Sequence, residues 1–327
     1  MTPPPRRRLL VAATLLLTLA LAAPAAPQAP QAPPAPPPCF GAAARDTLHP
    51  CDNPALRLQV VPSPAVARAE FNAPCSNFHA DHGVNTCEFG APAAPGIRTI
   101  ALVGDSHASH WRAALDVAAR DEGWHGFSVT RQSCAFSQAT RLTPEPVRTK
   151  CRDWVKLLPG FLRAHPEIDT LFVSAITGSK INIPPGRTTR EANVNGFRNA
   201  WRRLPDSVRH VVVIRDSPRI FRDTVACIDR AIERRLRAGL VCAVPRERSL
   251  KPDPQAIAAR DAHSPRLQVV DLTRLMCSAR RCFPVIGGAL VFKDLHHFTV
   301  QFAQTLGPAL SRSIAHIAAG WQPPGTG

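Results

Sequence analysis

The sequence predicts an α/β fold with a mainly parallel sheet. Three observations lead there: short apolar runs recur along the chain, stretches with helical spacing separate them, and a cluster of polar residues follows the first run directly. The run from Ile97 to Val103 reads as a buried strand, and "HASHWRAALDVAARDEG" after it switches to helical spacing. "GFSVT" from Gly126 is the next strand and "CRDWVKLLPGFLRAH" from Cys151 the next helix. The alternation continues with a strand from Ile168, a helix from Asn193, a strand "HVVVIRD" from His210 and a helix from Asp223. A strand "LQVVDLT" from Leu267 and a long helix from Thr299 complete it. No internal repeat stands out.

Composition narrows the setting. The chain has 327 residues and 45% hydrophobic content, enough for a substantial core. Its formal charge of +16 comes almost wholly from arginine and favours polyanionic surfaces. No zinc finger, basic zipper or aromatic-interleaved basic stretch accompanies the charge, so no specific nucleic acid is expected as partner. At the N-terminus, "RRR" precedes the apolar run "LLVAATLLLTLALAA" and the small residues around Ala23-Pro-Ala25. Residues 1–25 therefore read as a secretory signal, with a retained membrane anchor as the alternative. Residues 26–38, rich in Pro and Ala, read as an extended tether, and residues 39–96 as a disulfide-tied, loop-like segment packed on the main domain. The main domain is expected over residues 97–320.

Ten cysteines fall into successive short-range couples, from Cys39 and Cys51 to Cys277 and Cys282. An even, paired set in an exported chain predicts sequential disulfides and a secreted or extracytoplasmic location. No couple has two-residue metal-ligand spacing with a matching partner, so neither a zinc site nor any other cofactor is expected.

The chemistry sits at the two ends of the main domain. Gly104, Asp105 and Ser106 directly follow the first strand, where parallel sheets place their active sites. Serine needs a base, and a base needs an orienting group. "VFKDLHHFT", just before the last helix, supplies both: Asp294 and His297 are three residues apart, so a turn brings carboxylate to imidazole. Helix caps at Asp105 and Ser106, or a metal patch at His296 and His297, are the plainer readings of the same residues.

"GDSH" after a strand with "DLHH" before the C-terminal helix resembles the SGNH/GDSL hydrolase superfamily. The chain is most similar to the extracytoplasmic SGNH domain fused to acyltransferase-3 membrane proteins. "HVVVIRDSPR", "ACIDRA", "VCAVPRERSL" and "LMCSARRCFPVIGGALVFKDLHHFT" extend that likeness from about Thr99 to the last helix. The resemblance implies a three-layer α/β/α sandwich, with Ser106 as nucleophile, His297 as base and Asp294 as its partner. It also implies an oxyanion contribution from the Ser106 backbone N–H. The superfamily's separate glycine and asparagine blocks are missing, which leaves Ser133 after the second strand and Thr177 after "LFVSAIT" as oxyanion candidates. Asn193 and Asn195 read as helix-start residues. Asp105 supports the nucleophile turn, His110 lines the pocket, His296 supports its loop, and His107 is not the expected base. The implied activity is that of a serine esterase or O-acyltransferase on acylated glycans of the cell envelope, with a membrane acyltransferase as potential acyl donor. A noncatalytic SGNH-fold protein that binds envelope glycan is the alternative.

Overall fold

A computed structural model describes residues 35–72 and 75–321. Residues 37–321 lie within one compact unit. The expected signal or anchor, residues 1–25, and most of the expected tether lie outside the described residues. Among those described, no helix is long and apolar enough to cross a membrane.

In chain order, two short 3-10 helices (Gly41–Arg45 and Pro54–Leu56) precede helix α1 (Pro64–Arg68) and strands β1 (Ser76–Asp81) and β2 (Val84–Gly90). The main domain follows with β3 (Thr99–Gly104), α2 (Ser106–Asp121), β4 (His125–Thr130), α3 (Val147–Ala164), β5 (Ile168–Ser174), α4 (Thr189–Trp201) and β6 (His210–Ile214). Next are α5 (Arg222–Glu233), α6 (Ala238–Val241), β7 (Val244–Pro245), α7 (Arg246–Ser249), α8 (Pro254–Arg260) and β8 (Leu267–Val270). The small strands β9 (Arg281–Cys282), β10 (Val285–Ile286) and β11 (Ala289–Leu290) lead to α9 (Val300–Ala318). Every strand and long helix expected in the main domain is present, with ends displaced by a few residues.

The seven-stranded central sheet has the order β1-β2-β4-β3-β5-β6-β8. Its five strands from β4 to β8 run parallel, and the β1–β2 hairpin extends one edge antiparallel. Side chains alternate across the strands. Ile100 and Leu102 of β3 join the core shared with α2 and α9, whereas Ala101 and Val103 join the core shared with α3, α4 and α8. The two cores, one on each face of the sheet, define the three-layer α/β/α sandwich.

The hairpin corrects the loop-like reading of residues 39–96. Ser76–Asp81 is solvent-exposed along nearly its whole length, so no alternating apolar pattern marks it as a strand. Its pairing is carried instead by β2, whose side chains are mostly buried against the sheet.

All ten cysteines are paired in sequential couples: Cys39–Cys51, Cys75–Cys87, Cys134–Cys151, Cys227–Cys242 and Cys277–Cys282. Such a framework persists in an oxidising compartment, and the domain is extracytoplasmic.

The strand order places the site. From β3 the chain moves through α2 to β4 on one side, then through α3 to β5 on the other, which makes the carboxyl end of β3 the topological switch point. Gly104 makes the exit turn with φ +148°, and a Cβ there would lie 2.0 Å from the Ser174 carbonyl oxygen and 2.9 Å from the Ala108 Cβ. Gly104→Ala therefore forces β3, β5 and α2 apart. A loss of roughly 2–5 kcal/mol in urea unfolding is expected from combined strain and overpacking. A loss below about 0.5 kcal/mol would show that the turn relaxes freely.

Candidate active site

Ser106 is the first residue of α2 and is half-buried. Asp105, its N-cap, is fully buried and accepts from the His107 backbone N–H at 2.9 Å, from the Ile176 N–H at 3.2 Å and from Arg141 Nη1 at 3.1 Å. Both of its carboxylate oxygens are taken up as acceptors, so Asp105 is engaged as a support and not offered to an oxyanion. It holds together the start of α2, the loop after β5 and the Arg141 segment.

The second half of the site is the loop before α9. The Asp294 carboxylate accepts from the backbone N–H groups of His296 at 2.9 Å and His297 at 2.8 Å, closing an Asx-type turn. The same carboxylate accepts from His297 Nδ1 at 2.7 Å. Burial works against the charge on Asp294, but these three hydrogen bonds prevail and hold its carboxyl well below the usual range. The loop is pinned on both flanks: Ile220 N–H donates to the Leu295 carbonyl at 2.8 Å, and Thr299 caps α9. With Nδ1 engaged by Asp294, the lone pair of His297 lies on Nε2, a buried nitrogen with no hydrogen-bond partner. The ring stands over the first turns of α2, its centroid 5.2 Å from that of His107 and 6.0 Å from that of His110.

A second carboxylate–imidazole pair lies beneath. His107 Nδ1 is 2.5 Å from Asp216 Oδ1, with both side chains 1% exposed, and His107 Nε2 is 2.9 Å from His296 Nδ1. Asp216 follows β6 and also accepts from the Thr177 N–H at 2.7 Å. Burial disfavours the His107 imidazolium, but attraction to Asp216 outweighs it and raises the pKa above the ordinary value. The opposite holds for His296, where burial and then the neighbouring His297 and His107 lower the pKa to about 4. His110 is pushed well down by burial and by the same cluster, so it is neutral. Its ring stacks on Phe298 at 4.2 Å, and neither ring nitrogen has a partner.

The remaining sequence candidates do not converge. Ser133 is exposed and adopts a left-handed backbone with φ +59°. Thr177 is buried, but its N–H is directed to Asp216, while its carbonyl and hydroxyl hold Arg219 Nη2. Asn193 lies within α4 and donates back to the Thr189 carbonyl. The Asp216–His107 pair was missed in the sequence, although an aspartate at the carboxyl end of a parallel strand is a usable signal.

Residues 74–312 match the family described as the SGNH domain fused to AT3 domains. The chain belongs to this family. Membership places it among SGNH-type esterases and acyltransferases. No curated protein matches the chain. Among solved structures it is similar to the periplasmic domain of a Salmonella ser. Paratyphi A lipopolysaccharide acetyltransferase. The two share 11% sequence identity, the alignment covers 68% of this chain and 85% of that one, and the TM-score is 0.48.

Two predictions follow from the electrostatics of this SGNH site. Asp216→Asn removes the charge that raises His107, so the ring should titrate lower, below about 6.5. Breaking the buried pair should also cost about 3–5 kcal/mol at pH 6. Ring-resonance titration by NMR reads the first effect and denaturant unfolding the second; an unmoved His107 would remove the ion pair as the cause. The sign for His110 is opposite. A histidine kept neutral in the fold but free to protonate near 6.5 when unfolded stabilises at high pH, and that contribution is lost as pH falls below about 6.5. His110→Phe should therefore make the acid-side loss of stability shallower by about 1.4 kcal/mol per pH unit between pH 6 and 5. Parallel stability curves would contradict a neutral His110.

Proposed function

We propose that the chain is an extracytoplasmic serine esterase or O-acyltransferase acting on acyl groups, acetyl first among them, carried by cell-envelope carbohydrate. The observation that carries the reading is the His297 ring, with Nδ1 donating to Asp294 and the buried Nε2 left without a partner beside the helix that begins at Ser106. In this reading His297 Nε2 takes the Ser106 hydroxyl proton as Oγ attacks the acyl carbonyl carbon. The Ser106 backbone N–H, at the positive end of α2, stabilises the oxyanion. Collapse of the tetrahedral intermediate breaks the ester bond, and His297 returns the proton to the departing sugar oxygen. Water then hydrolyses the acyl-enzyme, or a second sugar hydroxyl accepts the acyl group. Asp294 fixes the tautomer and stabilises the imidazolium throughout. A membrane acyltransferase is the proposed acyl source for transfer, and an N-terminal anchor would keep the domain beside it.

One observation favours a second reading, a noncatalytic glycan-binding protein. The N–H groups of Ile176 and Thr177, which follow β5, are both directed to carboxylates rather than to a common point near Ser106. Labelling with a fluorophosphonate and turnover of p-nitrophenyl acetate separate the two. The enzyme reading expects labelling of wild type, none of Ser106→Ala, and a loss of at least about 10³ in kcat for that variant. Asp294→Asn should lower kcat by about 10²–10⁴ with little change in KM, because the ring loses its orienting acceptor. A folded wild-type protein that is neither labelled nor active would leave the binding reading.

A further inference from the structure

We propose that His107, His296 and His297 form a binding site for a divalent first-row transition ion, with Zn2+ the preferred occupant, and that the ion reversibly switches off Ser106 chemistry. The inhibitory consequence rests on His297 acting as the base, whereas the ion site itself does not. Each of the three rings offers one nitrogen, and these atoms all lie within 4.8 Å of one another. His107 Nε2 and His296 Nδ1 are 2.9 Å apart as a hydrogen-bonded pair. An ion bound at about 2.0–2.1 Å from each nitrogen needs tetrahedral donors about 3.3 Å apart, inside that range.

The orientation of the donors is as telling as their spacing. Asp216 engages His107 at Nδ1 and Asp294 engages His297 at Nδ1, so the nitrogen turned away from the carboxylate is Nε2 in both rings; His107 Nε2 is hydrogen-bonded to His296 Nδ1, and a bound ion would displace the proton that those two nitrogens share. Metal-binding histidines are held in this way, with the second nitrogen donating to a carboxylate that fixes the tautomer and strengthens the donor. His297 Nε2 adds an independent sign, since it is buried and lacks any hydrogen-bond partner. The two carboxylates also offset the charge of a divalent cation. A set of three imidazoles suits zinc or copper and disfavours Mg2+ and Ca2+, which take oxygen ligands. With an ion on His297 Nε2, the electron pair needed to take the Ser106 proton is no longer available. Removing the ion restores it.

Titration of the metal-free chain with Co2+, followed by visible d–d absorption, tests the site without reference to activity. One Co2+ per chain in a tetrahedral environment, displaced by Zn2+, is expected. His296→Gln and His297→Gln should each weaken binding at least about tenfold, a bound set by the smaller losses that follow removal of groups that only orient metal ligands. His165→Gln, at the separate surface cluster of Asp81, His82 and His165, should leave the signal unchanged. Ser106→Ala should still bind the ion. Zn2+ should suppress fluorophosphonate labelling of wild type, and EDTA should restore it. Absence of tetrahedral d–d bands, their survival in both His296→Gln and His297→Gln, or their loss in His165→Gln would overturn the site. Co2+ binding as expected with no labelling at any metal level would leave the site standing and refute Ser106 as nucleophile. Labelling that Zn2+ leaves untouched would refute the inhibitory role.

Discussion

The buried carboxylate of Asp105 is the constraint on which the rest of the site depends. Parallel strands end with backbone N–H groups that need acceptors, and a helix begins with several more. Asp105 takes one from each, Ile176 after β5 and His107 in α2, and balances its charge with Arg141. Asp216 repeats the device one strand pair further along, accepting from Thr177 while holding the His107 ring. The carboxyl ends of β3, β5 and β6 are thus joined by two acids that never reach solvent. A buried acid left without these donors would be strongly destabilising, so the turns that supply them are held firmly.

That scaffold explains why so many imidazoles gather in one place without sharing one protonation state. His107 is drawn towards the charged form by Asp216, against the cost of burial. Burial disfavours the charged form of both His110 and His296; His110 has no carboxylate of its own and His296 also meets two other imidazoles, so both are held neutral. His297 is oriented by Asp294, which leaves its buried Nε2 without a partner. Different partners make different groups from one side-chain type: an ion-pair member, a packing ring, a hydrogen-bond partner for the ion-pair member and one ring with an unpartnered nitrogen. An arrangement suited to accepting a proton at Nε2 is also suited to accepting a cation there, because both use the same lone pair.

Much of this organisation is visible in the chain itself. The alternation of apolar runs with helical spacing is local, and the strands from Thr99 to Gly104 and from Ile168 to Ser174 appear where that pattern puts them. The cysteine couples are equally local, with separations of 5 to 17 residues. Asp294 and His297 meet within one Asx turn, which three-residue spacing permits. The β1–β2 hairpin was hidden because an exposed edge strand such as Ser76–Asp81 carries no burial pattern. The Asp216–His107 contact was hidden because 109 residues separate its partners and nothing in either local sequence names the other.

By itself, the sequence determined the α/β class, the cysteine couples whose sequential pairing it predicted, the glycine turn into Ser106 and the Asp–His turn before the last helix. All four depend on residues near one another in the chain, where steric preference and short loops leave few choices. Tertiary structure alone decided which backbone donors the acids consume, and it turned Thr177 from an oxyanion candidate into a support for Asp216 and Arg219. It also decided that His107, His296 and His297 converge. Such contacts arise only when strands far apart in sequence become neighbours in the sheet, since burial and pairing there set each side chain's partner and charge.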